Sequence, residues 1–301
     1  MTATLSSRAS TLAPAAALIG VTAVWGSTFV VIKDVTERIP VADFLAVRFT
    51  IAAVALWLLA PRSVARLGPV ARRRALVLGA VYGAAQLLQT FGLTLVSASV
   101  SGFLTGLYVV LTPVIAAVLL RESVARATWL AVGLATAGLA VLSLNGFATG
   151  LGELLTVLSA VGYALHIVLL GRWSTPGQTM GLAVVQMGVI AVMCGVAAVP
   201  GGVVLPSTPG DWVAMAYIAL AAGALAMVAQ TWAQARLPAT RAAIIMTTEP
   251  VFASTFGVLV DGDPVTPRFV VGAALVLAAM YTAELGPRRA REGAVPHLPG
   301  E

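Results

Sequence analysis

Between Arg74 and Arg121 the chain runs for 46 residues without a single Asp, Glu, Lys or Arg. A soluble domain carries a charge at about one position in four, so a run of this length has no place on a water-exposed fold. One helical membrane span takes about 20 apolar residues. The run therefore predicts two spans joined by a small polar break at Ser97, Ala98 and Ser99. A second run, 9–32, is uncharged over 24 residues between Arg8 and Lys33. It is too long for the apolar core of a signal peptide and lacks an Ala-x-Ala cleavage pattern, so it reads as the first span.

The rest of the chain follows the same rule. Further spans are expected at 41–60, 128–144, 151–170, 180–199, 212–234, 241–260 and 269–285, with Asn145, Gly146 and Gly150 as turn residues between two of them. That makes ten. With 59% hydrophobic and 10% charged residues and a mean hydropathy of +0.96, the composition excludes a water-soluble enzyme. The net charge of +6 does not point to nucleic acid, because the basic residues sit between apolar runs instead of clustering on a solvated face. Seventeen of the 18 basic residues are Arg, a skew that together with the Ala, Val and Gly content suggests GC-rich bacterial coding. The single cysteine, Cys194, excludes an intrachain disulfide framework and reads as a packed or lipid-facing side chain.

Short cytoplasmic loops retain positive charge during insertion. Alternate loops counted from the N-terminus receive Arg8, Arg62, Arg66, Arg72, Arg73, Arg74, Arg121, Arg126, Arg172, Arg236, Arg241, Arg288, Arg289 and Arg291. The opposite loops hold Lys33, Arg38 and Arg268, among Asp34, Glu37, Asp43, Glu153, Asp211, Asp261 and Asp263. This 14 to 3 division predicts a multi-pass protein of the bacterial cytoplasmic membrane with both termini cytoplasmic.

Sliding one half over the other gives an orderly match. At an offset of 138, residues 26–30 fall on 164–168 and Arg48 falls on Gln186; at 141, Gln89-Thr90-Phe91 falls on Gln230-Thr231-Trp232, Ala98-Ser99 on Ala239-Thr240, and Glu122 on Asp263. A repeat of five spans is odd, so the second copy enters the membrane from the other side. The fold class expected is an all-α integral membrane protein of ten helices in two inverted five-helix repeats, 12–144 and 151–285, between a short N-terminus (1–11) and a disordered, Pro- and Gly-rich tail (286–301). Inverted repeats are a recurrent transporter construction, with the site at the midplane between them.

Trp25-Gly26-Ser27-Thr28-Phe29 in span one, Arg48-Phe49 in span two, Ser99-Val100-Ser101-Gly102-Phe103-Leu104 opening span four and Glu249-Pro250-Val251 in span nine resemble the EamA-type members of the drug/metabolite transporter superfamily. The resemblance covers residues 12–285 and implies a ten-helix carrier with a central cavity, often serving export of amino acids or other metabolites. Smaller proton-coupled relatives in that superfamily carry an acid within the first helix; this first span has none.

Polar groups at membrane depth are the candidate functional residues, since an ionised side chain at the bilayer centre costs about 2.5–3.5 kcal/mol to insert. Glu249 precedes Pro250, whose missing N–H tends to kink a helix. The pair reads either as a gate or proton carrier, or as a structural carboxylate that pairs with an arginine or caps freed backbone donors. Arg48 lies seven residues into span two, about 10 Å deep. It has three readings: a clasp for a substrate carboxylate, a partner for Glu249, or a side chain snorkelling to the surface. His166 is a candidate proton shuttle or an interhelical hydrogen-bonding group. Gln86, Gln89, Gln186 and Gln230, with Trp25, Ser27, Tyr108, Tyr163 and Trp232, are expected to line a neutral, partly aromatic cavity, or singly to glue helices together.

The expected function is secondary transport of a small molecule across the lipid bilayer by a monomer or homodimer, with no cofactor, metal or nucleic acid. A membrane-embedded lipid-modifying enzyme is the alternative. It would need clustered acids or histidines, and the sequence places one Glu, one His and one Arg on separate spans.

Overall fold

A computed structural model describes residues 2–96, 101, 104–121, 124–143, 150–256, 258–259 and 265–285, and among these every regular element is helical. In chain order the α-helices are α1 (Thr2–Thr36), α2 (Val41–Leu59), α3 (Pro69–Leu93), α4 (Tyr108–Leu120), α5 (Arg126–Ser143) and α6 (Leu151–Trp173). They continue as α7 (Thr179–Ala198), α8 (Pro209–Tyr217), α9 (Ala226–Gln234), α10 (Ala239–Met246), α11 (Glu249–Phe256) and α12 (Pro267–Leu285). Five helical stretches are long and apolar enough to cross a bilayer: Val41–Leu59, Pro69–Leu93, Leu151–Trp173, Pro176–Gly201 and Pro209–Gln234. Leu12–Thr28, Leu104–Leu120 and Val270–Ala279 are shorter apolar helices. The expected break at Ser97–Ser99, the motif residues Gly102 and Phe103, the turn at Asn145 and Gly146, the pair Glu122 and Asp263, and the tail 286–301 lie outside the described residues.

Three helices depart from the expected spans. α3 begins at Pro69, so Arg72, Arg73 and Arg74 ride its exposed first turns and do not occupy a loop. Gly68 at the N-cap and Pro69 at the first position start the helix early, because proline loses nothing where the N–H has no intrahelical acceptor. The stretch Pro209–Gln234 is not uniform: Ile218–Leu225, between α8 and α9, is a π-helical segment, a local widening often found at functional sites. Span nine is broken, with Thr247 and Thr248 separating α10 from α11. Pro250 therefore sits in the first turn of a new helix and does not kink a continuous one.

With no water to drive helix association in a bilayer, packing and small residues hold such a bundle together. α2 packs along α7, α3 along α6 and α7, α5 along α12, and α1 along α9, α10 and α11. Phe44, Phe49, Met187, Ile190 and Met215 are fully enclosed in the central cluster, with Cys194 also buried in it. Gly26 marks the closest approach of α1 to α11. A Cβ there would lie 2.7 Å from both the Ala253 amide nitrogen and the Phe252 Cβ. At one end of the bundle the α1–α2 loop is tied to the start of α8. Arg38 donates to Asp211 (2.7 and 3.1 Å) and to both Asp34 oxygens (2.9 and 2.7 Å), while Asp43 accepts from the Val204 amide at 3.0 Å. The paired hydrogen bonds from Arg38 hold the Asp34 carboxyl below its usual range, and the two acids raise the Arg38 pKa.

Candidate functional site

A cavity of about 90 Å³ opens among α1, α2, α3, α4, α6, α9, α10 and α11. Its walls carry Trp25, Thr28, Arg48, Tyr82, Gln86, Gln89, Thr90, Thr105, Tyr108, Tyr163, His166, Gln230 and Glu249, with Ile32, Phe44, Leu93, Ile167 and Met246 as apolar surface. The volume holds a few waters in this conformation. Ile32, Phe44, Leu93 and Thr105 lie at the ends of their helices nearest the α1–α2 loop, so the cavity reaches toward that end.

Two broken helices feed the cavity. Residues 104–106 are helical, Leu107 forms a turn, and α4 starts at Tyr108; in the second half Thr247 and Thr248 form the turn and α11 starts at Glu249. At each turn the backbone tightens to bonds three residues back: Leu107 N–H to Leu104 (3.3 Å), and Thr247 and Thr248 N–H to Ile244 and Ile245 (3.2 and 3.1 Å). Leu107 and Thr248 are 141 positions apart, as are Tyr108 and Glu249, the first helical residues beyond the turns. Interrupted helices at matching places in two halves are a strong pointer to a transporter's binding site. The Thr248 hydroxyl lies 2.8 Å from that of Thr22, linking the second break to α1.

The same spacing runs through the whole wall. Trp25 and Tyr163, and Thr28 and His166, are 138 apart; Gln89 and Gln230, and Thr105 and Met246, are 141 apart. With Tyr108 and Glu249, five position pairs at the repeat offsets meet around one cavity.

Hydrogen bonds fix much of this lining. Trp25 Nε1–H donates to the Ala222 carbonyl in the π-helical segment at 2.9 Å. The Tyr163 hydroxyl donates to Gln89 Oε1 at 2.6 Å, and Gln89 Nε2 donates to Thr105 at 3.1 Å, which joins α6, α3 and the segment before α4. Gln86 Nε2 donates to the Tyr82 hydroxyl at 3.2 Å, and the Tyr82 ring meets Tyr163 edge-on at 5.6 Å and His166 at 4.9 Å. Below these, Gln230 donates to Gln234 (3.1 Å), which donates to the Ile167 carbonyl (2.9 Å), closing the floor of the cavity.

Of the residues singled out from sequence, Trp25, Arg48, Gln86, Gln89, Tyr108, Tyr163, His166, Gln230 and Glu249 share this cavity. Four do not line it. The Ser27 hydroxyl bonds Tyr217 at 2.6 Å. Gln186 sits behind His166 and accepts from its Nε2 at 2.8 Å, while its own Nε2 donates to the Leu182 carbonyl. Trp232 lies under the Arg236 guanidinium at 4.5 Å, and Pro250 is half-buried beside Glu249. Because the Gln186 oxygen only accepts, His166 Nε2 carries the proton, and its enclosed Nδ1 is an acceptor without a partner among the described residues. Arg48 and Glu249 are not paired: the ion pairs among the described residues both belong to Arg38.

Among the polar cavity residues, sequence reasoning missed Thr28, Thr90, Thr105 and, above all, Tyr82. Its signal was present, one helical turn before Gln86 and so on the same face of α3. Among the described residues no three His, Cys, Asp or Glu side chains converge as a metal site.

Comparison with known proteins places this arrangement. The EamA-like transporter family model matches the chain twice, over residues 12–144 and 150–283. An uncharacterized transporter of Archaeoglobus fulgidus is 29% identical over 267 residues, covering 87% of this chain and 82% of that protein. A protein crystal structure superposes with a TM-score of 0.75 at 19% identity, over 89% of this chain and 96% of the other, a likeness of fold alone. The chain belongs to the EamA-like transporter family, within the drug/metabolite transporter superfamily, and is a multi-pass membrane transporter.

Proposed function

We propose that the protein is a secondary carrier that moves a small metabolite, an amino acid or a similar compound, outward across the bacterial cytoplasmic membrane. Its substrate binds in the cavity described above, and two inverted five-helix halves expose that cavity alternately to each side. The five cavity pairs at offsets of 138 and 141 carry the reading, since a midplane site shared by two equivalent halves is what alternating access requires.

The packing supports it. The contact of α1 with α10 and α11 is matched by that of α6 with α4, and the contact of α3 with α6 by that of α1 with α9 and the π-helical segment. α2 with α7, and α5 with α12, pair each span with its own counterpart. Exchange of the two halves leaves this pattern unchanged. The loop α1–α2 and the start of α8 meet through Arg38 and Asp211, so they share a face, as an even number of crossings between them demands. The charge division makes that face external, and a cavity reaching toward it belongs to an outward-facing state. Floor closure falls to Gln230, Gln234 and the Ile167 carbonyl on the cytoplasmic half.

Counterflow in sealed proteoliposomes tests the reading. Saturable exchange of a labelled metabolite against its unlabelled form is expected. Modification of a lipid without exchange would replace the carrier with a membrane-embedded enzyme.

A further inference from the structure

We propose that Arg48 recognises an anion in the cavity, and that the transported ligand is a small monocarboxylate. The proposal rests on the carrier reading above and narrows it to a substrate class. Arg48 is 5% exposed and faces the cavity from α2. Its Nε is enclosed without an acceptor, and among the described residues the guanidinium makes neither a hydrogen bond nor an ion pair. Its Cζ lies 4.9 Å from the centre of the adjacent Phe49 ring, whose face is a weak substitute for an anion. A guanidinium withdrawn from water and left unpaired is costly, so its retention calls for a partner that arrives from outside the protein.

The second half of the molecule shows that the fold does not need a cation there. The position equivalent to Arg48 is Gln186, a neutral amide bonded to His166 and to the Leu182 carbonyl. One half satisfies this position internally; the other leaves it open toward the cavity. Charge balance favours a monocarboxylate over a phosphate: Arg48 is the one Lys or Arg among the described residues lining the cavity, so it matches a single negative charge and leaves a dianion under-compensated.

The test uses the full chain purified in detergent and reconstituted in liposomes. Probes are L-alanine, L-methionine, lactate and pyruvate, each beside its primary amide, which keeps the shape and removes the carboxylate charge; lactate and pyruvate, whose amides are neutral, separate that loss from the ammonium charge the amino-acid amides keep. Bound ligand raises the melting temperature in proportion to its occupancy. At least one acid is expected to stabilise the wild type and exchange in counterflow while its amide does neither. Arg48→Gln is expected to lose the acid's effect by tenfold or more in affinity, and Arg48→Lys to fall between.

Equal stabilisation by acid and amide overturns the proposal, as does an acid preference that survives Arg48→Gln, or a panel in which no acid binds. If Arg48→Gln does not fold, Arg48→Lys and the acid–amide comparison on the wild type still decide. Recovery of acid binding in the Arg48→Gln, Glu249→Gln double variant also overturns it, since Arg48 would then serve only to balance Glu249. Saturable exchange of a neutral compound, insensitive to Arg48, sinks the carboxylate proposal and keeps the carrier. Arg48-dependent acid binding without any exchange does the reverse.

Discussion

Two glycines on the same helix make opposite predictions. Gly20 and Gly26 both lie in α1. A Cβ at Gly20 meets nothing within 4 Å, whereas one at Gly26 would lie 2.7 Å from the Ala253 nitrogen, 2.7 Å from the Phe252 Cβ and 3.0 Å from the Phe252 carbonyl carbon. Carbon contacts settle at about 3.5–4.0 Å, so Gly26→Ala, with its nearest contacts at 2.7 Å, must drive α1 and α11 apart by roughly 0.8 Å or more. Two of those three atoms are backbone, which no rotamer change can move. Overpacking of this kind costs about 1–3 kcal/mol. Replacing a helical glycine by alanine returns about 0.5–1 kcal/mol at either site. That return cancels in the difference between the two variants, which isolates the clash: Gly20→Ala should melt at or above wild type, and Gly26→Ala lower than Gly20→Ala by the equivalent of about 1–3 kcal/mol. Thermal unfolding of the three purified proteins in one detergent measures it. Because Trp25 adjoins Gly26 and Glu249 belongs to α11, the displaced variant should also show a higher KM in exchange. Identical melting temperatures for the two variants would refute the close approach of α1 to α11.

Three further outcomes are expected. Glu249→Gln should flatten the pH dependence of net transport while retaining counterflow, and an unchanged pH profile would exclude Glu249 as the proton carrier. Trp25→Phe removes the hydrogen bond to Ala222 and should cost about 0.5–1.5 kcal/mol, with faster hydrogen exchange confined to the π-helical segment; uniform loosening of the whole chain would contradict that link. The Asp34 carboxyl, held low by its hydrogen bonds from Arg38, has a folded pKa below its unfolded one, so its tie is complete above the ordinary carboxylate range and is lost as pH falls through the lowered value. Protection against hydrogen exchange in residues 34–43, taken relative to the intrinsic rate at each pH, should therefore stay high at neutral pH and fall in acid. Arg38→Gln should make it low at neutral pH, and high protection in that variant would show that the tie does not restrain the loop.

What the sequence disclosed follows from the cost of polarity in lipid. An amide or charge in an apolar run needs a partner, so Gln86, Gln89, Gln230, Arg48 and Glu249 stand out by letter, and the structure gathers them around one cavity. Gln186 stands out equally and lies elsewhere, because its need is met by His166, and no sequence rule distinguishes a partner in the protein from one in the cavity. Tyr82 escaped notice for the opposite reason: a tyrosine among apolar residues is unremarkable until Gln86 and the Tyr163 ring are seen against it. Helix ends were less legible. The break at Thr247 and Thr248 has no glycine, and the proline that suggested a kink lies beyond it, in the first turn of the next helix. Arg72, Arg73 and Arg74 read as a loop because they are charged, yet arginine is a good helix former and an exposed turn suits it.

The paired positions around the cavity agree in place more than in charge. Where the first half has Arg48 the second has Gln186, and where the second has Glu249 the first has Tyr108. Two halves with matching charges would give a carrier whose inward and outward forms differ little in energy. In the proposed alternating-access cycle, exchanging the conformations of the halves would shift Arg48 and Glu249 relative to the bilayer, and neither shift would be mirrored by its counterpart, Gln186 or Tyr108. A membrane voltage acts on such displacements at up to about 2.3 kcal/mol per charge per 100 mV. Under that cycle the empty carrier would have a resting orientation that depends on voltage, set by side chains whose counterparts at the repeat offsets do not match them in charge.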